Sequence, residues 1–423
     1  MKKGVVFLLL LASYIQGACA GRDTIKRAGL KDQTDLLDVK ASLFHKETKL
    51  DTSILKLQKL FIPSFTYNPS AGFELGLTLA ALKFLGHPDS TSLSSGEIEV
   101  SASTKGLAYI NYKHSIYLPE NKWSLQGNWQ VGRTLATDYG VGTGQYSENE
   151  DGNLPSNSYL PGSPPNVYKL KYTSVRFRET AYKKITGHFY TGIGLNINAY
   201  TGIDEESRDD LTTHNYRYSD LNGFLPWRYL ANSLSFNLQY DDRDHPNQPY
   251  KGMYGNVGIK TSKKILGSSA NSTQLMTEYR KYWSLSAVNP QHVLAFWHWG
   301  SYLLSGKIPY LELPGTSGDN DGRSGRAYTV GRFKGYSFFY SEAEYRFPIL
   351  ANKLISGVAF INAQTGSNPN AQKPIKLFQY WEPGTGAGLR ILYNKYSRSN
   401  ICIDYGVGRY GTRGVFINLN EAF

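Results

Sequence analysis

The charged residues able to do chemistry fall in two places. From Arg323 to Pro348 a Gly- and Arg-rich stretch, with Arg323, Arg326 and Arg332, runs into an aromatic one, with Tyr336, Phe338 and Tyr340, that carries Glu342 and Glu344. Alternate residues of an extended chain share a face, so both carboxylates would point the same way. A long basic loop feeding a strand with inward acids predicts a loop that folds back into something hollow. The second place is Asp241, Asp242, Asp244 and His245, at the end of an alternating run. Acids beside a histidine suit a hydrolase or a cation site; they equally suit a structural salt bridge with Arg243.

Little else offers a reaction. There is no H-E-x-x-H pair, no Walker loop and no G-x-S-x-G elbow. Gly384-Thr385-Gly386-Ala387-Gly388 superficially resembles a nucleotide loop, but it opens a strand rather than a helix, and close packing at a barrel bend is its expected role. The eight histidines have no ligand spacing. No enzyme activity, no cofactor and no metal site is expected.

The elements that must position these residues are strands. The chain has 423 residues, enough for one large all-β domain or two ordinary ones. It is polar on average yet rich in tyrosine, 32 against 3 methionines, which fits strands with one wet and one greasy face. Lys2 and Lys3, an apolar run from Val5 to Ala12 and Ala18-Cys19-Ala20 read as a secretory signal over residues 1–20. A lipid-anchored Cys19 is the alternative; Gln16 argues against it by standing where an aliphatic residue is wanted. Loss of Cys19 with the leader leaves Cys402 alone, so no intramolecular disulfide forms. Removing Lys2 and Lys3 from the formal +12 leaves +10, compatible with nucleic acid, anionic lipid or lipopolysaccharide.

Residues 21–60 carry a weak helical pattern (Leu36, Leu37, Val39, Leu43) and read as a linker or a short periplasmic helix. From about residue 61 to 423 alternation takes over. Leu234, Phe236, Leu238 and Tyr240 interleave with Ser233, Ser235, Asn237, Gln239 and Asp241. Trp123, Leu125, Trp129 and Val131, and Phe189, Ile193, Leu195 and Ile197, repeat the pattern. Alternation over about ten residues is that of a transmembrane β-strand, where a soluble sandwich strand has about five or six. About sixteen such runs, joined by alternately tight and long connections (134–166, 202–228 and 306–335 are the longest), predict an all-β fold: a transmembrane antiparallel barrel with loop 305–335 in its lumen. The first strand, 62–68, is expected to be short. The last, Arg413–Phe423, places Val415, Ile417, Leu419 and Phe423 on one face, and its terminal aromatic reads as an outer-membrane insertion signal. Basic and aromatic residues on such a body fit interfacial girdles in lipid and lipopolysaccharide, not nucleic-acid stacking.

Several motifs stand in a telling order: Pro63-Ser64-Phe65-Thr66-Tyr67-Asn68-Pro69 with Gly72; Tyr139-Gly140-Val141-Gly142; Asp242-Arg243-Asp244 with Pro246, Pro249 and Gly252; Arg326-Ala327-Tyr328; Glu344-Tyr345-Arg346-Phe347-Pro348; Gly384 to Arg390; Asp404-Tyr405; and Glu421-Ala422-Phe423. In these the chain resembles the BamA/TamA superfamily of outer-membrane assembly and translocation barrels, the bacterial surface antigen family, over residues 61–423. The resemblance implies that Arg326 is a loop-tip arginine tucked into the lumen on Glu344, and that Asp242, Arg243 and Asp244 form a structural turn. Ala327 stands where the family has a tip glycine, and a positive φ there would cost about 1 kcal/mol. Asn362 stands where the family has a second wall acid, so Arg326 is expected to be held less firmly, with Arg323 and Arg332 competing for Glu344. Residues 21–60 are too few for the family's POTRA arm. The implied function is protein (or lipid) assembly or translocation at the outer membrane, as an accessory to other assembly or export proteins. The alternatives are a passive channel or structural barrel, and a barrel hydrolase at Asp241–His245.

Overall fold

A computed structural model describes residues 33–44, 57–68, 72–144, 167–206, 213–287, 289–371 and 373–423; the expected leader lies outside the described residues. The alternating runs become strands β1 (Gln58–Asn68), β2 (Gly72–Lys83), β3 (Ser94–Ser103), β4 (Ala108–Tyr117), β5 (Trp123–Asp138), β6 (Tyr168–Thr186) and β7 (Phe189–Glu206). They continue as β8 (Arg228–Leu230), β9 (Ser233–Asp241), β10 (Gly252–Ser262), β11 (Ser272–Ser284), β12 (Val293–Gly306), β13 (Ser337–Pro348), β14 (Ile355–Gly366), β15 (Glu382–Asn394), β16 (Ser399–Gly408) and β17 (Arg413–Leu419). All lie in one sheet, and every pairing is antiparallel between sequence neighbours, apart from β7 pairing both β8 and β9. The sheet curls like a barrel, but no ladder joins β1 to β17 among the described residues.

The period of two decides which residues face in. Leu234, Phe236 and Leu238 of β9 are 45%, 54% and 54% exposed, whereas Ser233, Asn237 and Gln239 are buried. Trp129, Val131, Ile193, Leu195 and Ile197 likewise face out. In β13 the inward set is Phe338, Tyr340, Glu342, Glu344 and Arg346. An apolar outside around a polar, buried inside is the pattern of a barrel that sits in lipid.

Several expectations change. The strands among the described residues number seventeen, because the eighteen-residue β7 outruns the nine-residue β9 and pairs its far end with β8. The two share one lane, so the barrel still has the sixteen lanes that alternation predicts. β1 is not short: it begins at Gln58 and pairs with β2 along all eleven residues. β6 and β7 are the longest strands, and they turn at 187–188. The connections sort by end. Strands β2, β4, β9, β11, β13 and β15 end on the side where β17 ends, called here the tail end; β5, β7, β12 and β14 end on the opposite side, the loop end. The tight turn at 104–107 is also at the loop end.

The largest correction concerns the C-terminus. β17 stops at Leu419, and Asn420 takes φ +64°, a left-handed conformation that asparagine tolerates better than most residues. Glu421, Ala422 and Phe423 turn inward. Phe423 is 3% exposed and stacks on Trp297 at 5.2 Å between centroids, and Leu419 is buried against Leu60, Ala80 and Tyr393. Phe423 leaves the outer face that strict alternation assigns, whereas Leu419, in register with Ile401, keeps its face and is covered there. A lumen lined with Trp297, Tyr282 and arginines offers the terminal ring and Glu421 better partners than the outer face does.

Two α-helices complete the fold among the described residues. Helix α1 (Leu36–Leu43) opens on a capping box: Asp35 accepts from the Asp38 amide at 2.8 Å, and Asp38 accepts from the Asp35 amide at 3.1 Å. It docks at the tail end. Helix α2 (His214–Asn222) forms inside the connection expected to be only a polar loop, and Gly223 at φ +76° ends it. It covers the loop end.

Candidate functional site: the luminal loop and the chain terminus

The loop 307–336 runs through the lumen, and its ends are tied first. Asp138, fully buried at the end of β5, accepts from Tyr310 Oη at 2.6 Å and from Lys334 Nζ at 2.7 Å, so one carboxylate holds both legs of the loop. Glu312 accepts from Tyr200 Oη at 2.6 Å and Asn198 Nδ2 at 2.9 Å. Tyr218 of α2 donates to the Ile308 carbonyl at 2.6 Å within a cluster of Val141, Phe224, Tyr310, Leu313 and Tyr336. Farther in, the loop organises itself: Asp319 accepts from the amides of Asp321, Arg323 and Ser324.

At the tip, Arg326 meets three wall acids. It donates to Asp404 at 2.8 Å and pairs with Glu342 and Glu344, with its guanidinium 3.9 Å from the centre of the Phe360 ring. Glu344 also takes Arg346 at 2.7 Å; Arg346 lies 3.8 Å from Glu421; Glu421 takes Arg390 at 2.7 Å; and Arg390 takes Asp404 at 2.6 Å. The pairs therefore close a ring, Arg326–Glu344–Arg346–Glu421–Arg390–Asp404 and back to Arg326. Glu342 hangs from it, accepting from Tyr340 Oη at 2.5 Å and Asn362 Nδ2 at 3.3 Å. Every side chain of the ring is at most 6% exposed. Charges this deep are tolerable only because each has opposite partners on two sides. Burial alone would pull the Arg326 pKa down, but Glu342, then Glu344 and Asp404, hold it well above its ordinary value. Burial pushes Glu421 up; Arg390 and Arg346 outweigh that and hold it below the usual glutamate value.

The ring joins two segments far apart in sequence, the loop tip and the chain terminus. Arg323 adds a third tie, donating to the carbonyls of Leu419 at 2.8 Å, Asn420 at 3.3 Å and Glu421. Arg346 donates to the Phe423 carbonyl at 3.0 Å.

Most residues expected at the tip are there. Arg326 reaches Glu344 as the resemblance implies. Ala327 has φ +108°, so the tip backbone does need the conformation that favours glycine. Tyr328 donates to the Pro383 carbonyl and accepts from the Arg409 amide at 2.9 Å. Asn362 donates to the Arg326 carbonyl at 2.9 Å rather than standing in for an acid. Arg326 is not held less firmly for lacking a carboxylate there, since Glu342 and Asp404 supply two. Arg323 and Arg332 do not compete for Glu344; Arg332 lies 4.5 Å from the ring centres of both Tyr139 and Phe333, and Arg346 is the residue that shares Glu344. The glycines of β15 and β16 make room for the tip. A Cβ at Gly406 would fall 2.8 Å from the Ala327 Cα, one at Gly384 3.0 Å from its Cβ, and one at Gly388 on the Asp404 carboxylate.

The expected turn also forms. Arg243 donates twice to Asp241, at 2.8 and 2.9 Å. Asp242 accepts from the Met253 amide at 2.5 Å, and Asp244 from the amides of Tyr250 and Lys251. Asp244 also meets Arg398 at 2.6 Å, which ties this turn to the β15–β16 turn across the tail end. His245 Nδ1 accepts from the amides of Asn247 and Gln248, and burial lowers its pKa, so it braces a turn rather than facing a substrate. Among the described residues no group of acids, histidines and cysteine could hold a metal. A polar cavity of about 220 Å³ lies between loop and wall, bounded by Lys113, Arg178, Arg280, Asp321, Arg323 and Glu421.

This architecture has a counterpart among solved structures. The fold is similar to that of BamA from Haemophilus ducreyi lacking POTRA domains 1–3, with a TM-score of 0.53 and 14% identity over 86% of this chain and 70% of that one. CdiB from Acinetobacter baumannii gives a TM-score of 0.48 and 13% identity over 86% of this chain and 59% of that one. No curated protein matches the chain in sequence. The Omp85 superfamily domain matches residues 95–408, which take in β3 to β16, the luminal loop and the acids that hold Arg326; the chain belongs to the Omp85 superfamily.

Proposed function

We propose that this chain is a multi-pass barrel of the Gram-negative outer membrane that takes part in assembling or translocating protein, or lipid, at that membrane. It acts as an accessory to a larger assembly or export complex. The observation that carries this reading is the buried ring joining the loop tip to the chain terminus beside the unpaired edge strands. A plug fastened to the last strand lets movement of one be felt by the other, which an inert pore does not need. Superfamily membership and the BamA-like fold support the same reading. On this account the apolar outer band meets lipid and lipopolysaccharide, and nucleic acid is not a partner. Leu419 and Phe423 serve the insertion machinery before folding and the lumen afterwards. We assign no enzymatic activity, and His245→Ala should leave the phenotype intact.

Affinity purification of the tagged protein from outer membranes in mild detergent, followed by mass spectrometry, tests the proposal. Recovery with assembly or export proteins supports it. Recovery alone, together with a steady conductance from the pure protein, would favour a self-sufficient channel instead.

A further inference from the structure

The edge strands have no ladder between them among the described residues, yet their tail end is bridged. Leu60 of β1, Leu419 of β17 and Tyr393 of β15 form one apolar cluster with Leu36 and Leu37 of α1. Gln58, the first residue of β1, accepts from Asn394 Nδ2 at 3.3 Å, across the seam. Helix α1 is fixed over this place by the two turns beside it. The Thr34 amide donates to the Asn352 carbonyl at 2.9 Å, and the Lys395 amide to Asp35 at 2.9 Å. Lys395 Nζ meets Asp38 at 2.5 Å and the Gln33 carbonyl at 3.2 Å. The two acids that cap the helix are thus the two that grip the barrel, so α1 cannot lose its grip without loosening its own first turn.

We propose that α1 is a latch that holds the tail end of the β1–β17 seam closed, with Lys395 as its catch. The latch lies at the tail end, held by the turns that carry Asn352 and Lys395, and its own contacts include no side chain of the luminal ring. Whatever the barrel carries, opening the seam at this end requires α1 to leave Leu60 and Leu419.

The test is a distance across the seam. Phe61 of β1 and Ile417 of β17 are 42% and 53% exposed, so Phe61→Cys and Ile417→Cys in a Cys402→Ser background accept spin labels. Pulsed electron resonance on this otherwise wild-type barrel should give one narrow distribution. Lys395→Glu, which sets a carboxylate against Asp38, should add a population longer by at least one strand spacing, about 5 Å. Lys395→Arg should restore the narrow one. Leu36→Asn/Leu37→Asn reads the same seam without touching the catch and should broaden it likewise. Distributions that superimpose for all of these, in protein whose heat-modifiable gel migration is unchanged, would overturn the latch.

Discussion

Removing Arg326 should free the loop tip by a definable amount. In Arg326→Met the apolar stem remains and the charge goes. Glu344 keeps Arg346 and Asp404 keeps Arg390, so Glu342 is the one carboxylate stranded, with only Tyr340 and Asn362 to hydrogen-bond it. Breaking one member out of a buried pair costs about 3–5 kcal/mol, and the two surviving hydrogen bonds place this case near 3. At about 1.4 kcal/mol per tenfold, the population with the tip released should rise at least about 10²-fold. Ser324, buried beside the tip, reports it: maleimide labelling of Ser324→Cys in a Cys402→Ser background tracks the open population when closing outpaces reaction. Glu342→Gln added to Arg326→Met removes the stranded charge and should recover most of the loss. A labelling rate within threefold of the Arg326 protein would refute the ring as the lock. So would a double variant no slower than the single one, because the cost would then not be electrostatic.

Other consequences follow from single contacts. Ala327→Gly relieves the positive φ and should slow Ser324→Cys labelling several-fold, equivalent to about 1 kcal/mol. Gly406→Ala puts a methyl against the Ala327 backbone and should release the tip, whereas Gly255→Ala, with nothing within 4 Å of the added atom, should not; labelling of the same cysteine compares them. Glu421 is held below its ordinary pKa of 4.5, so its contribution is complete above that pH and is lost as pH falls through the lowered value. A trifluoromethyl-phenylalanine at position 423 should therefore keep its ring-current shift from Trp297 at pH 6 and lose it only in acid below about 4.5. Loss of that shift already near pH 6 would mean that Glu421 is not what seats the tail.

The barrel was legible because its physics is local. Leu234 to Tyr240 and Phe189 to Ile197 announce their faces by alternation alone, and chain length in each run separates membrane strands from soluble ones. The tip was legible through Arg326-Ala327-Tyr328 and Glu344, whose order in the chain is distinctive. The rest of the ring was not, because Asp404, Arg390 and Glu421 stand on other strands or beyond them, and only the curl of the sheet brings them to Arg326. Inward alternation would have offered Asp404 and Arg390 as wall charges without saying which loop residue they hold. The turn at Asn420 breaks a pattern that Val415, Ile417 and Leu419 had set, and its cause, Trp297 waiting in the lumen, is more than a hundred residues away. Helix α2 hid in a polar connection because its apolar contacts, Tyr218 and Phe224, face the luminal loop and not a neighbour in sequence.

The central claim is that residues 307–336 close the lumen while their tip is locked to the chain terminus. Single-channel recording in planar bilayers tests it most directly, comparing the wild-type chain with a variant in which residues 316–333 are replaced by a short Gly-Ser linker. The account predicts no steady conductance from the wild type, brief openings from Arg326→Met and a large stable conductance from the loop-replaced barrel. A stable open level in the wild type, equal to that of the loop-replaced variant, would contradict it and leave a passive channel in its place.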